Sequence, residues 1–339
     1  MIVMEDRFFA MIEKYVLPLG AVGHAIDSTY FLRRNLSFAF AQGYCHPPGG
    51  FYGKLINYPD PHGTLEIFGR RYSSTNKRLV DGRLELLPIG EQLRLHYLAE
   101  PALMAKKRLP LFAEYHARFD LGDCIGFFGH GRSLAVAMEM YPPLALTIEK
   151  ISGFIEMGLD HLGVTGSLAY GKMEAGDEDV DLTIRGSLEE HARVLRKITE
   201  WVKDPAHRVF EFNRFWPMRF YYEDTLVCPF FIYGREDEIP LADFTMDLVK
   251  GEVLFRGRVN DDRHSIYLPM VLGMERVNLD GEKAEELPLI IYDSSVRGEY
   301  RCGEWLEGRG KLVNVHKPKE EFRALLVTNG DAITKGDRV

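Results

Sequence analysis

Two aspartates separated by one residue have the clearest capacity for chemistry in this chain. Asp179 and Asp181 belong to the alternating segment Asp179-Val-Asp-Leu-Thr-Ile184, which predicts a β-strand. Side chains at i and i+2 of a strand share a face, so the two carboxylates should point together while the apolar residues turn into the core. Adjacent carboxylates repel each other, and Mg²⁺ (or Mn²⁺) takes such oxygens together with phosphate oxygens as ligands. The pattern therefore predicts a metal site at Asp179 and Asp181.

A glycine-serine turn precedes the aspartates and predicts a phosphate site. The apolar run from Leu162 to Val164 ends at Gly166-Ser167, and a short helix is predicted from Leu168 to about Met173. Backbone N–H groups at the start of a helix bind anions, and glycine lets the backbone approach a phosphate closely. A phosphate site at Gly166 and Ser167 beside a metal site indicates that a nucleoside triphosphate binds here.

These two motifs also support a family resemblance. Gly166-Ser167, followed after eleven residues by Asp179-x-Asp181, resembles the signature of the DNA polymerase beta nucleotidyltransferase superfamily. Val-Thr-Gly-Ser together with Asp-Val-Asp-Leu-Thr-Ile-Arg-Gly-Ser is most similar to its uncharacterised, largely archaeal nucleotidyltransferase-domain proteins. The resemblance covers roughly residues 144–235, and it is looser before and after that range.

The resemblance implies a reaction and a set of residues. It implies Mg²⁺-dependent transfer of a nucleoside monophosphate from a triphosphate to an unknown acceptor, with release of pyrophosphate. Lys172 and Arg185 are the candidates for added positive charge at the nucleotide, and ordinary surface residues are the alternative for both. Active members carry a third carboxylate on a later strand, but the predicted strand from Leu226 to Ile232 contains no acid. We therefore predict that Asp224, in the turn before that strand, is the third catalytic residue.

Three other interpretations stay open at this stage. If no third carboxylate reaches the site, the protein is a degenerate transferase fold that binds nucleotide or RNA without turnover. Residues 177–181 are alternatively an acidic loop followed by an ordinary edge strand. His161, beside the first strand, is a further candidate base, although a lone histidine at a helix end is more often structural. An EF-hand calcium loop is disfavoured because no glutamate lies at the required spacing.

The charge distribution adds a possible polyanion partner. The 339-residue chain has a net charge of −8, yet residues 30–118 carry thirteen Lys and Arg against seven Asp and Glu. Basic residues there alternate with aromatic ones, a mixture that binds single-stranded nucleic acid but also occurs on ordinary sheets. Lys54, Arg70 and Arg71 are the predicted nucleic-acid contacts, and a solvated basic surface is the alternative.

The remaining patterns predict an α+β protein with three domains and a tail. An antiparallel β-rich region with some helix is predicted for residues 1–140, and the nucleotidyltransferase α/β core for 141–245. Five short strands predict a small β-barrel-like domain of OB or SH3-like type for 246–328, before a disordered tail at 329–339. Residues 88–120 are predicted to be mostly helical, and the glycine-rich stretch 124–132 to be a connector.

The sequence shows no signal for secretion and no segment for membrane insertion. The first residues lack the basic segment and apolar core of a signal peptide, and no apolar stretch reaches about 20 residues. A cytoplasmic protein without membrane contact is therefore expected. The four cysteines are scattered without a C-x-x-C pair, which predicts reduced thiols rather than a disulfide framework or a zinc site.

Overall fold

The computed structural model describes residues 2–23, 25–80, 83–105, 109–172, 179–211, 214–284 and 286–336. Met173, the predicted end of the helix after Gly166, lies outside these residues. So do residues 177 and 178 of the acidic loop predicted at 177–181. The chain divides into two compact units. Unit 1 comprises residues 1–42, 46–105 and 117–235, and unit 2 comprises residues 43–45, 106–116 and 236–339.

The described α-helices all belong to unit 1. They are α1 (Ile2–Tyr15), α2 (Ile89–Ala99), α3 (His130–Met140), α4 (Pro142–Ile155) and α5 (Leu188–Trp201). The sequence determines the start of α5 most clearly. The Ser187 side chain accepts a hydrogen bond from the Glu190 amide, and the Glu190 carboxylate accepts one from the Ser187 amide. This reciprocal capping box satisfies two amides that the helix itself leaves unpaired, as predicted.

An eight-stranded antiparallel sheet forms the first half of unit 1. Its strands are β1 (Val16–Pro18), β2 (Tyr30–Arg33), β3 (Phe38–Ala41), β4 (Gly50–Pro59), β5 (Leu65–Ile67), β6 (Arg70–Ser74), β9 (Ala117–Asp120) and β10 (Cys124–Phe128). A separate hairpin is formed by β7 (Lys77–Val80) and β8 (Arg83–Leu86). Of the aromatic residues that suggested a base-stacking surface, Tyr30, Phe51 and Tyr72 are buried and Tyr52 is half-buried.

A five-stranded sheet carries the aspartates. The spatial order of its strands is β11 (Leu162–Val164), β12 (Asp179–Gly186), β15 (Thr225–Tyr233), β14 (Arg214–Tyr222) and β13 (Arg208–Glu211). β12 and β15 are parallel, whereas β11 and β14 run antiparallel to their neighbours. α5 covers one face, where His191 contacts the Phe231 ring at 5.0 Å between centroids. The carboxylates lie on the opposite face.

Unit 2 is a curled sheet. Its strands are β16 (Thr245–His264), β17 (Met270–Leu279), β18 (Glu282–Lys283), β19 (Leu287–Ile291), β20 (Trp305–Lys317), β21 (Glu320–Val327) and β22 (Ile333–Gly336). Pairing runs from β16 through β17, β19, β21 and β20 and returns to β16, so the sheet curls around one apolar core. This curvature agrees with the predicted barrel-like domain, and the mixed α+β class predicted from the sequence is confirmed.

Four local predictions need correction. The glycine-rich stretch 124–132 is not a connector but the strand β10 followed by the first turn of α3. Among the described residues between 88 and 120, α2 is the one α-helix, because Pro101 and Pro110 limit the chain to short turns before β9. The predicted boundary at residue 140 does not separate compact units. The tail is ordered at least through Gly336, since β22 pairs with β20.

Candidate functional site

Asp179 and Asp181 lie side by side on β12, as the alternation predicted. Val180 and Leu182 are buried, Asp179 is exposed and Asp181 is half-buried. Oxygen atoms of the two carboxylates and the sulfur of Cys228 all lie within 4.8 Å of one another. Two strands therefore bring three side chains that can bind a metal to one point.

Gly166 fits directly against one of these carboxylates. Its φ is +61°, and a Cβ atom added there would lie 1.7 Å from Asp181 Oδ2. The neighbouring Thr165 amide donates a 2.9 Å hydrogen bond to the Asp181 carbonyl oxygen. Both the left-handed backbone and the lack of space require glycine here. The glycine-serine turn and the carboxylates, predicted separately, thus lie together in the structure.

Cys228 occupies the position at which the sequence analysis looked for a third acid. In the parallel register of β12 and β15, Cys228 is the direct neighbour of Asp181. Its thiol is buried and donates a 3.1 Å hydrogen bond to Asp179 Oδ1. Burial raises the pKa of this thiol well above its usual value, so it is protonated at neutral pH.

Asp224, the predicted third carboxylate, is not one of the three residues that the structure brings together here. Asp224 is exposed in the turn before β15, and it is not part of the metal-binding group found among the described residues. Its neighbour Glu223 has φ +50° and accepts hydrogen bonds of 2.8 and 2.9 Å from the Lys150 ammonium. The register of a parallel pair is not visible in the sequence, and it places Cys228 beside the aspartates.

The surroundings of Asp181 oppose its negative charge. Burial, and next the charge of Asp179, raise the pKa of Asp181 to about 7. Lys77 and Arg219 act in the opposite direction, and Glu211 adds to the rise. The charged form of Asp181 is thus costly, and a divalent cation would stabilise it.

Arg219 is a site residue that the sequence analysis missed. It forms a short ion pair with Glu211, and its guanidinium lies 4.1 Å from the centroid of the Trp216 ring. Arg214 lies 4.5 Å from the same ring, and the Trp216 indole N–H donates to the Glu211 carbonyl oxygen at 3.1 Å. These contacts hold a positive charge at the edge of the carboxylate pair. In the sequence, the signal for this residue is the succession of basic and aromatic residues along β14, from Arg214 through Trp216 to Arg219.

The eight-stranded sheet contributes residues to the same region. Tyr30 and Tyr170 contact each other at 5.5 Å between ring centroids, and the Asn57 amide donates a 3.1 Å hydrogen bond to the Tyr170 hydroxyl. Burial raises the pKa of both tyrosines, and the charge of Asp181 adds to this rise. Lys77, on the strand β7 of the separate hairpin, also acts on Asp181 and lowers its pKa.

Two predicted phosphate-binding residues have different positions. Lys172 follows the glycine-serine turn closely, and its amide donates a 3.0 Å hydrogen bond to the Ser167 carbonyl oxygen. Arg185 lies four residues beyond Asp181 on β12, a separation of about 13 Å along the strand. It lines a different cavity together with His161, whose Nδ1 lies 2.9 Å from the Arg185 carbonyl oxygen. The structure therefore holds the Lys172 backbone against the glycine-serine turn and places Arg185, with His161, farther along β12 from the carboxylates.

The predicted nucleic-acid contacts mostly have partners within the protein. The Lys54 ammonium donates a 2.9 Å hydrogen bond to Gln92, and the Arg70 guanidinium lies 5.0 Å from the Phe8 ring centroid. Arg71 is exposed on β6. These contacts favour the structural interpretation of the basic segment over a continuous binding surface.

Comparison with known proteins adds no relative. The chain matches no family model, no curated protein and no solved structure. None of the helices within the described ranges has the length and apolar character needed to cross a membrane. No disulfide joins the four cysteines, all of which are described.

Proposed function

We propose that unit 1 binds a nucleoside triphosphate with a divalent cation and transfers its nucleotidyl group to an acceptor, releasing pyrophosphate. The observation that carries this proposal is the position of Gly166 directly against the Asp179 and Asp181 pair. The sequence resemblance to the DNA polymerase beta superfamily supports the same reaction class. Mg²⁺ (or Mn²⁺) is the cofactor that the two carboxylates fit, because hard cations prefer oxygen ligands.

The chain's own residues have separate roles in this proposal. Asp179 and Asp181 hold the cation, which supplies charge neutralisation at the triphosphate. The backbone amides of Gly166 and Ser167 orient the outgoing phosphates, and Lys172 adds positive charge beside them. Arg219, held by Glu211 and Trp216, faces the carboxylates and compensates negative charge that develops at the transferred phosphate.

A second candidate function is binding without turnover, and Cys228 is the observation that favours it. A protonated thiol with a raised pKa does not accept the proton of an acceptor hydroxyl, whereas a carboxylate at that position would. In this alternative, unit 1 binds a nucleotide at the carboxylate site without turnover. Alternatively, it binds RNA or another polyanion through residues 30–118. The internal partners of Lys54 and Arg70 give the RNA version less support than the nucleotide version.

Calorimetry tests the site that both functions share. We expect Mg²⁺ to bind weakly alone and more tightly with a non-hydrolysable nucleoside triphosphate, since phosphate oxygens complete its ligand shell. The double variant Asp179→Asn/Asp181→Asn should lose this cooperative binding, at least about tenfold. Asp224→Asn is the matched control, because its carboxylate is exposed outside the metal-binding group.

Release of pyrophosphate then separates the two functions. Transfer requires Mg²⁺-dependent pyrophosphate release that the double variant abolishes. Cooperative Mg²⁺ and nucleotide binding without any release would favour the binding protein. Equal metal binding in the wild type and the double variant would contradict both.

A further inference from the structure

The side chains gathered at the carboxylate pair differ from the ligand set that Mg²⁺ prefers. Oxygen atoms of Asp179 and Asp181 and the sulfur of Cys228 all lie within 4.8 Å of one another. Mg²⁺ takes oxygen ligands in a near-octahedral shell, whereas thiolates bind Zn²⁺ and related transition cations strongly. The two carboxylates alone fit Mg²⁺, but the complete group of three side chains fits a softer divalent cation better.

The distances within this group are suitable for a single ion. Cys228 Sγ lies 3.1 Å from Asp179 Oδ1, where the thiol donates a hydrogen bond to the carboxylate. Around a tetrahedral Zn²⁺, a sulfur at about 2.3 Å and an oxygen at about 2.0 Å lie roughly 3.5 Å from each other. Only a small movement would therefore bring both atoms into one ligand shell. Binding replaces the thiol proton with the cation, and the proton leaves to solvent.

Backbone pairing determines the positions of all three side chains. Asp181 and Cys228 are direct neighbours in the parallel register of β12 and β15, and Asp179 shares the face of Asp181. Gly166 leaves the space that Asp181 Oδ2 occupies. Asp179 is exposed whereas Cys228 is buried, so the group is open to solvent on one side. Ligands carried by paired strands are held more precisely than ligands on loops.

Positive side chains near the group are balanced by acids. Lys77 and Arg219 lower the pKa of Asp181, whereas Asp179 and Glu211 raise it. Arg219 also forms an ion pair with Glu211, so part of its charge is already compensated. Loss of the thiol proton on binding adds a third negative charge to those of the two carboxylates. A divalent cation would therefore meet three negative ligands.

The other thiols have different surroundings and provide controls. Cys124 is also buried in unit 1, but its thiol donates to the Asp120 carbonyl oxygen at 3.6 Å. Cys302, in unit 2, is exposed and donates to the Asn260 carbonyl oxygen at 3.5 Å. Neither belongs to the metal-binding group found among the described residues. Burial of a thiol in this chain thus does not by itself bring it to a pair of carboxylates.

We propose that Asp179, Asp181 and Cys228 bind a divalent cation of the Zn²⁺ class more tightly than Mg²⁺, an assignment that rests on the metal site of the proposed function. Three protein ligands leave at least one position of the ion open for water or a phosphate oxygen, as in catalytic zinc sites. Zn²⁺ then competes with Mg²⁺ for the same carboxylates. The metal that is available consequently determines which ion the nucleotide meets.

Absorption spectroscopy with Co²⁺ tests the sulfur ligand without an assay of activity. A Co²⁺–thiolate bond produces a charge-transfer band in the near ultraviolet, which carboxylate ligands do not produce. We expect metal-free protein to develop this band with about one equivalent of Co²⁺, Zn²⁺ to remove it, and the same concentration of Mg²⁺ to leave it. Cys228→Ser should abolish the band, and Asp181→Asn should weaken Co²⁺ binding at least about tenfold.

Control variants make the result specific to this group. Cys124→Ser and Cys302→Ser should keep the band, which excludes binding by the other thiols. Circular dichroism shows whether Cys228→Ser folds. If it does not fold, Asp179→Asn replaces it, because this variant changes an exposed ligand and should weaken Co²⁺ binding at least about tenfold.

The outcomes separate this proposal from the nucleotidyl transfer proposed above. Absence of the band in the wild type, an equal band in Cys228→Ser, unchanged Co²⁺ binding by Asp179→Asn, or removal of the band by Mg²⁺ as readily as by Zn²⁺ would each overturn it. Cooperative binding of Mg²⁺ and nucleotide without a Co²⁺ band would contradict the sulfur ligand alone. A Co²⁺ band that depends on Cys228, without cooperative binding of Mg²⁺ and nucleotide, would support the sulfur ligand and contradict the proposed function.

Discussion

At the scale of single residues, the proposed metal site combines the carboxylates of Asp179 and Asp181 with the protonated thiol of Cys228. Gly166 leaves space for Asp181 Oδ2, which any larger side chain at a φ of +61° would occupy. Asp179 accepts a hydrogen bond from the Cys228 thiol, so the third position carries a proton rather than a negative charge. One atom type at position 228 thus decides between the two functions.

Replacing Cys228 by aspartate tests this conclusion. We expect Cys228→Asp to increase Mg²⁺-dependent pyrophosphate release at least about tenfold, because a carboxylate beside the metal pair accepts the proton of the acceptor hydroxyl. The measurement is a coupled pyrophosphate assay at saturating triphosphate. Cys228→Ser is the control, since it keeps a hydroxyl donor without adding an acid. If the wild type releases pyrophosphate and both Cys228→Asp and Cys228→Ser abolish the release, the thiol itself is required instead.

At the scale of secondary-structure elements, α2 buries an uncompensated histidine. His96 is fully buried, and neither ring nitrogen has a hydrogen-bond partner among the described residues. Burial, followed by the charge of Lys54, lowers the pKa of His96 to about 3. The Lys54 ammonium donates a hydrogen bond to Gln92, which lies one turn before His96 on α2. Packing of α2 therefore depends on a neutral imidazole.

Acid should consequently destabilise the packing of α2. The folded pKa of His96 lies below its unfolded value of about 6.5, so the unfolded chain binds a proton that the folded chain does not. The contribution of neutral His96 to the free energy of unfolding is fully present above about pH 6.5 and decreases as the pH falls towards 3. Over that range we expect a loss on the order of 4 kcal/mol.

Urea unfolding at several pH values, with circular dichroism, measures this loss. His96→Leu should lower the free energy of unfolding less at pH 4 than at pH 7, because the variant lacks the proton-binding group. Parallel pH dependence of the wild type and His96→Leu would contradict the assignment.

At the scale of the whole molecule, the two compact units do not follow simple chain order. Unit 2 includes residues 106–116, which precede every strand of the five-stranded sheet in unit 1. Within unit 2, Phe112 is 1% exposed and its ring centroid lies 4.9 Å from that of Phe244 and 4.8 Å from that of Tyr292. The predicted independent domain at 246–328 lacks both this segment and Phe244.

Removing Phe112 should therefore destabilise unit 2. We expect Phe112→Ala to lower the free energy of unfolding of this unit by about 3–5 kcal/mol, the usual cost of removing a buried phenylalanine side chain. Hydrogen exchange should then accelerate in β19, β20 and β21 and stay unchanged in β12. Leu254→Ala is the matched control, since Leu254 is 54% exposed in the same unit and should change stability by less than about 0.5 kcal/mol. Faster exchange in β12 as well would indicate that the units do not unfold separately.

The sequence by itself determined the features that depend on neighbours along the chain. The alternation around Asp181 predicted a strand with both carboxylates on one face, the Ser187 and Glu190 spacing predicted a capping box, and the aromatic segments predicted an antiparallel sheet. These features follow from side-chain periodicity and local hydrogen bonds, which a short segment contains in full.

Only the tertiary structure decided which residues meet across the chain. The parallel register of β12 and β15 placed Cys228 beside Asp181, and the β14 hairpin brought Arg219 to the same point. Strand register, and with it the partners of each site residue, depends on how distant apolar faces pack together. For the same reason Arg185, close to the aspartates in sequence, lines a different cavity.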